Sequence, residues 1–115
     1  IMTLEEIYTR LKKVGIPVAY LFFKTPQKPP FIAYYESGTS IDGADVLNLY
    51  RSKDITIELY ADSKMPEIER KIEELFNDVP LDKATDIYIE NEKLLKVEYT
   101  FTTIETGFRS FRQRC

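Results

Sequence analysis

Hydrophobic and polar residues alternate over residues 55–59, and a period of two is typical of a strand with one buried face. After Ala61, apolar residues recur at steps of three and four, which predicts an amphipathic helix over residues 65–76. Asp62 or Ser63 is expected to cap this helix. A strand that leads directly into such a helix predicts a sheet with a helix packed across it.

The same patterns predict the other elements of the chain. Thr3 and Glu6 match a capping box, which predicts a helix over residues 4–14, and Gly15 is expected to end that helix in a left-handed conformation. Ile87 and Ile89 are expected to face inward from a late strand. The predicted strands are residues 18–23, 31–36, 55–59 with a lead-in over 46–51, 85–89 and 94–104.

These elements predict an α+β fold with a mainly antiparallel sheet and two helices packed on one face, in the order α-β-β-β-α-β-β. A chain of 115 residues is large enough for one core. We therefore expect a single domain over residues 1–108. The segment 109–115 is predicted to be a flexible basic tail.

Residues 37–45 form the most turn-like stretch of the chain, with two glycines among short polar side chains. This composition predicts a mobile connection between strands. Tyrosines beside a flexible loop are common at protein interfaces, although these tyrosines also suit the flank of a core. The candidate partner-interface residues are Tyr34, Tyr35, Ser37, Gly38, Thr39, Ser40, Asp42, Gly43, Asp45 and Tyr50.

Charge is unevenly distributed along the chain. The net charge is −3, and it becomes −6 for residues 1–108 without Arg109, Arg112 and Arg114. An acidic balance argues against a general polyanion binder. The three arginines alternate with aromatic residues, so they are candidate contacts to phosphate or to a partner. A disordered terminus would explain the same pattern, and so would a segment that docks on a neighbouring subunit.

Candidate chemistry is sparse. The sequence has no histidine, so it lacks the usual general base and the commonest metal ligand. Cys115 is the only cysteine, which excludes an internal disulfide framework. Glu73 and Glu74 form a carboxylate pair that is expected to be solvated on a helix surface. We expect no enzyme activity, no metal site and no cofactor, and no apolar run approaches the ~20 residues of a membrane span.

Three segments carry a resemblance to a known family. They are residues 55–64 (ITIELYADSK), 67–76 (EIERKIEELF) and 88–101 (YIENEKLLKVEYTF), supported by residues 2–8, 15–20 and 29–34. In these segments the chain resembles the tail terminators, or tail-to-head joining proteins, of long-tailed phages and prophages. The resemblance covers residues 2–108, and its motifs are structural.

The resemblance implies a non-enzymatic virion protein that forms a ring, usually hexameric, on the finished tail tube. Its implied partners are copies of itself, the major tail tube protein and the head–tail connector proteins, with DNA passing through the ring without specific binding. It implies assembly in the cytoplasm of a bacterial host and a final place at the head–tail joint of the virion.

Three further hypotheses for the function stay open on the sequence. Related head-completion and minor capsid proteins have a similar size and pattern. A nucleic-acid-binding regulator would use the three arginines of residues 109–115 to contact phosphate. A small enzyme would need a cleft that no sequence motif indicates.

Overall fold

The computed structural model of the chain describes residues 2–42 and 50–106. The elements, in order, are α1 (Leu4–Lys12), β1 (Val18–Tyr20), β2 (Phe31–Asp42), β3 (Tyr50–Ala61), α2 (Pro66–Leu75), β4 (Asp82–Lys83), β5 (Ile87–Ile89) and β6 (Leu94–Thr106). The strands form one sheet in the order β1-β2-β3-β6-β4, and β5 also pairs with β6. Within the described ranges, only the β1–β2 pair is parallel. The predicted α+β class is therefore confirmed, with β4 as an additional short strand.

Both helices pack on the same face of the sheet. The apolar stripe of α1 and that of α2 meet the inward residues of β2, β3 and β6 in one core. The predicted alternation on β3 and β6 is confirmed, since every second residue of their central segments lies in this core. Among the described residues, the largest fully buried side chains are Ile7, Leu11, Ile32, Ile55, Ile57, Leu59, Ile72, Phe76, Val97 and Tyr99. No helix in the described part of the chain is long and apolar enough to cross a membrane.

The start of α1 follows the predicted cap in part. The Thr3 hydroxyl accepts a hydrogen bond from the backbone N–H of Glu6 at 3.1 Å. The Glu6 carboxylate lies 3.3 Å from the Arg10 guanidinium, and no described contact returns it to Thr3. The helix ends at Lys12, two residues earlier than predicted, and Gly15 has the expected positive φ of 92°.

Arg10 joins the two helices. Its guanidinium donates to both carboxylate oxygens of Asp78, at 2.7 and 2.9 Å, and to the backbone carbonyl of Leu75 at 3.0 Å. It also lies 5.5 Å from the centre of the Phe76 ring. These contacts attach α1 to the C-terminal end of α2, where a positive charge is favoured by the helix dipole.

The cap predicted for α2 is wrong. Neither Asp62 nor Ser63 is the N-cap: the cap position is Met65, which makes no side-chain capping hydrogen bond. Pro66 occupies the first turn, where the missing amide leaves no helical hydrogen bond unmade. The helix therefore begins through the fixed φ of proline rather than through a polar cap.

Two strand predictions need correction. The strand predicted over residues 18–23 ends at Tyr20, because Leu21 has a φ of 68° and turns the chain away from the sheet. Neither Ile87 nor Ile89 faces inward, since they pair with Lys96 and Leu94, and directly paired residues share a face. That face is the one opposite the helices, so Ile87 is exposed.

The connection predicted over residues 37–45 is wrong for residues 37–42, which continue β2 as a strand. Its mobility stays a prediction. The backbone groups of residues 37–42 pair with residues 50–54 of β3 in a regular antiparallel ladder. Polar side chains suit this position because the ladder extends past the core, where no apolar face is needed. Of the predicted lead-in 46–51, residues 50 and 51 lie in β3, and residues 46–49 lie outside the described residues.

Candidate partner interface

Three paired strand segments, residues 37–42, 50–54 and 104–106, form a distal arm. Beside its base, Thr103 is buried, and its hydroxyl accepts a hydrogen bond from the Met2 backbone N–H at 3.0 Å. Within the described residues, the helix-packed core includes no residue from the first two of these segments. At ~3.4 Å per residue, six residues of antiparallel strand extend ~20 Å. The molecule is accordingly long, with extents of 49 × 28 × 25 Å.

A β-bulge marks the base of the distal arm. The strand register shifts between Glu36 and Gly38, which leaves Ser37 outside the regular pairing. The Ser37 hydroxyl accepts a hydrogen bond from the Thr56 hydroxyl at 2.9 Å and donates to the backbone carbonyl of Asp54 at 3.2 Å. The extra residue is therefore held by side-chain contacts.

Gly38 allows the two strands to approach beside this bulge. A Cβ atom at Gly38 would lie 3.2 Å from Asp54 Oδ2, which is closer than most Cβ contacts. The other carboxylate oxygen of Asp54 accepts from the Thr102 hydroxyl at 2.8 Å. Thr39 is hydrogen-bonded to the Glu36 carboxylate. The predicted interface residues in this part of the chain thus form an ordered ladder in the described structure.

The two neighbouring tyrosines lie on opposite faces of β2. Tyr34 is buried against the helices, and its ring packs edge-on to Tyr20 with the centroids 5.2 Å apart. Tyr35 lies on the opposite face, where its hydroxyl donates to Glu58 at 3.2 Å. Of this pair, only Tyr35 is on the face that the helices leave uncovered.

The structure does not describe the side chains of several predicted site residues. Asp42 and Tyr50 are backbone partners at the end of the distal arm, and their side chains lie outside what the structure describes. Gly43, Asp45, Arg109, Arg112 and Arg114 also lie outside the described residues.

A buried carboxylate lies at the centre of the face opposite the helices. Glu58 accepts from the hydroxyls of Tyr60 and Tyr35, at 2.9 and 3.2 Å, and lies 3.5 Å from Lys96 Nζ. Glu98 pairs directly with Glu58 across β3 and β6, and Lys96 lies 3.6 Å from it as well. Burial, and then the hydrogen bond to Glu58, raise the pKa of the Tyr60 hydroxyl above its ordinary value.

A second charged network connects α2 to β4 and β6, and sequence reasoning missed it. The buried Glu69 carboxylate lies 2.7 Å from Lys83 Nζ and 3.0 Å from Lys64 Nζ. Lys83 also bonds Glu73 at 3.0 Å, and the Tyr99 hydroxyl donates to Glu73 at 2.8 Å. The sequence spacing could have indicated that Glu69 is buried. Glu69 is four residues after Met65 and three before Ile72, which places it on the buried face of the helix.

The pKa shifts in this network have structural causes. Partial burial opposes ionisation of Glu73, but hydrogen bonds from Lys83 and then Tyr99 outweigh it and lower the pKa of that carboxyl. Burial, and then the bond to Glu73, raise the pKa of Tyr99. Glu73 lies exposed on the helix surface, as predicted, and it also bonds Lys83 and Tyr99. Perturbed groups can indicate an active site, but each of these is satisfied by a neighbour that connects two elements.

Comparisons with known proteins reveal a shared fold. A chain from the virion of a native gene transfer agent (GTA) particle matches with a TM-score of 0.60 and 11% sequence identity, over 88% of this chain and 92% of that one. No protein-family profile and no curated protein matches the sequence significantly. Within residues 2–42 and 50–106, no group of three or more metal-ligating side chains is arranged to hold an ion.

Proposed function

We propose that this chain is a non-enzymatic structural protein of a long-tailed phage or prophage, which caps the tail tube and joins the tail to the head connector. In this proposal it acts as a hexameric ring. The observation that carries it is the fold shared with a chain of a gene transfer agent virion over nearly the full length of both chains. The resemblance of residues 2–108 to tail terminators points to the same class of protein.

The proportions of the molecule suit a joint between two assemblies. The helices and core form a thick body at one end, and the distal arm extends from it as a thin sheet. An arm of paired strands presents two faces that can fit against another protein. We propose that the arm contacts the major tail tube protein and that the body forms the ring.

The charged side chains support a structural role. Glu58, Glu69 and Glu73 each bond a lysine or a tyrosine from another strand or helix. A general base needs a free lone pair directed at a substrate. These groups instead hold α2 on the sheet and hold neighbouring strands in register.

A phage or prophage with a nonsense codon early in this gene tests the proposed function. Under the proposal, induced cells contain filled heads beside unjoined tails, many of abnormal length, and a plasmid copy of the gene restores joined particles. A silent codon change at the same position is the matched control. Normal infectious particles from the mutant would contradict the proposal. Defective heads beside tails of normal length would favour the related head-completion role.

A further inference from the structure

A groove of about 460 Å³ lies on the face of the sheet opposite the helices, toward the end that lacks the distal arm. Its floor is formed by Phe31 and Ala33 of β2 and by Tyr60 of β3. The segment between β1 and β2 forms one wall, and Ile89 and Glu92 form the other. A groove of this volume with a mainly apolar lining is within the range of protein binding sites.

The first wall displays apolar side chains on a strained turn. The Phe22 backbone N–H donates to the Tyr20 carbonyl at 2.7 Å, which closes a γ-turn around Leu21 with its φ of 68°. A positive φ is unfavourable for leucine, and such strain is concentrated at functional sites. The turn leaves Leu21 53% and Phe22 64% exposed. Lys24 and Lys28 of the same segment are exposed and do not line the groove.

Three aromatic rings form a row along the groove. Phe23 packs edge-on against Phe31 with the ring centroids 5.4 Å apart, and Phe31 is stacked on Tyr60 at 5.1 Å. Aromatic side chains favour such stacked and edge-on contacts with one another. A further aromatic side chain from a partner can therefore extend this row.

The side of the groove away from the γ-turn is acidic. Among the lining residues of the described chain, Glu92 is the charged one, and it is exposed. Next to the groove floor, Glu58 pairs directly with Glu98 across the two strands, and Lys96 lies near both. Two carboxylates against one ammonium group leave a net negative charge, which favours a cationic partner.

Residues 107–114 (GFRSFRQR), which lie outside the described residues, have the matching chemistry. They contain three arginines and no acidic residue, so they carry +3. Phe108 and Phe111 are each followed directly by an arginine. Arginine both pairs with carboxylates and stacks on aromatic rings. When one of these phenylalanines is buried in an aromatic groove, a guanidinium is therefore available beside it.

The segment cannot reach the groove of its own molecule. Thr106 pairs with Tyr50 at the far end of the sheet, and Tyr50 is ten residues along β3 from Tyr60. Ten residues of antiparallel strand extend ~34 Å. Phe111 is five residues beyond Thr106, and five extended residues span at most ~18 Å. The groove that this phenylalanine can enter therefore belongs to another molecule.

We propose that residues 107–114 of one copy bind in the aromatic groove of a neighbouring copy. A phenylalanine of the segment packs on the row formed by Phe23, Phe31 and Tyr60, and the arginine beside it pairs with Glu92. The occupant is a segment of this same chain, and the contact joins two different surfaces of the two copies. It does not depend on the proposed function, which concerns what the assembled copies do.

A peptide-binding assay tests this contact. The probe is a fluorescently labelled peptide of residues 107–114. The receptor is the full chain with F108A/F111A, so that its own segment does not compete. Groove variants add F22A or E92K to the receptor, and controls add Y88A or E74K at exposed positions outside the groove. Fluorescence anisotropy measures the dissociation constant, and circular dichroism checks folding.

We expect the peptide to bind the receptor, and F22A to weaken binding about tenfold or more because it removes an apolar wall. E92K should weaken binding about threefold or more, because a lysine then faces an arginine. Both controls should match the receptor, and a peptide with both phenylalanines changed to alanine should not bind. A peptide that does not bind at ~1 mM, or binding that both folded groove variants leave unchanged, would overturn the proposal.

Sedimentation velocity of the full chain tests whether the contact forms between copies. At protein concentrations above the measured dissociation constant, wild type should sediment as a larger species than F108A/F111A. Equal sedimentation of the two proteins would contradict a contact between copies. The nonsense-codon test removes the whole chain and is independent of this groove, so failure of the contact and failure of the proposed function are distinguishable.

Discussion

Single side chains divide into those that fill the core and those that connect elements. Ile72 belongs to the first group, because it is fully buried between α2 and the sheet. We expect Ile72→Ala to lower the free energy of unfolding by about 2–5 kcal/mol, since it leaves a cavity in a packed core. Urea denaturation measures this loss. Lys71→Ala, on the exposed side of the same helix, is the control and should change stability by less than about 0.5 kcal/mol. A loss as small as this for Ile72→Ala would contradict the assigned core.

Asp78 belongs to the second group, and its contribution should depend on pH. The hydrogen bond from Arg10 lowers the pKa of the Asp78 carboxyl below its ordinary value of 3.8. A lowered pKa in the folded state means that the ionised carboxylate stabilises the fold above pH 3.8, and that this contribution disappears as pH falls through the lower value.

Asp78→Asn tests this dependence. The stability difference between wild type and variant should stay constant from about pH 7 to pH 5 and shrink below about pH 4. Urea denaturation at a series of pH values measures it. Asp62→Asn, at an exposed position with no ion pair in the described structure, is the control. A difference that persists unchanged down to about pH 2 would contradict the assigned ion pair.

At this scale the sequence predicted apolar residues better than polar ones. The predicted apolar stripes on both helices and on β3 and β6 were correct. Burying an apolar side chain is favourable whichever apolar neighbour covers it, so the prediction needs no specific partner. Glu69 was missed as a connector because a carboxylate becomes buried only when a cation from another element reaches it. Lys83 and Lys64 do so here, and neither pairing is visible in the local pattern.

Whole elements depend on local backbone geometry as well as on pattern. β1 stops at Tyr20 because Leu21 turns the chain at a positive φ, which few leucines adopt. Residues 37–42 form a strand despite their glycine and serine content, because β3 supplies the pairing partner. Propensity alone favours turns for such residues. Sequence patterns therefore predicted which elements exist but not where β1 and β2 end.

Leu21→Gly should relieve the strain of the γ-turn. We expect this variant to be more stable than Leu21→Ala by about 1 kcal/mol, because both remove the side chain and only glycine tolerates the positive φ without cost. Thermal or urea denaturation of the two variants, which are controls for each other, measures the difference. A Leu21→Ala protein as stable as Leu21→Gly would show that the turn stores no strain.

Amide hydrogen exchange should distinguish the distal arm from the core. In the free protein we expect residues 37–42 to exchange faster than residues 55–59, because the arm lacks helix packing. In assembled tails the same arm residues should exchange slowly, since the proposed tube contact covers them. Exchange measured by mass spectrometry on both samples checks this. Equal protection in the two states would exclude the arm as a contact.

On the scale of the whole molecule, shape and charge arrangement carry the functional argument. The proposed contacts rest on one sheet with helices on one face and on a thin arm of paired strands. The arm does not follow from periodicity alone. The order of the strands decides which residues reach the edges, and strand order depends on long-range pairing. The fold class was therefore predictable from sequence, whereas the arm required the structure.

Cryo-electron microscopy of purified particles is the most direct test of the central claim, that this chain is the joint between tail and head. We predict one ring of six copies at the head–tail junction, into which this sheet and its two helices fit with the distal arm directed at the tail tube. Wild-type particles should show the ring, and particles from the nonsense mutant complemented with the gene should show it again. A junction built without this chain, or copies of it repeated along the length of the tube, would contradict the account.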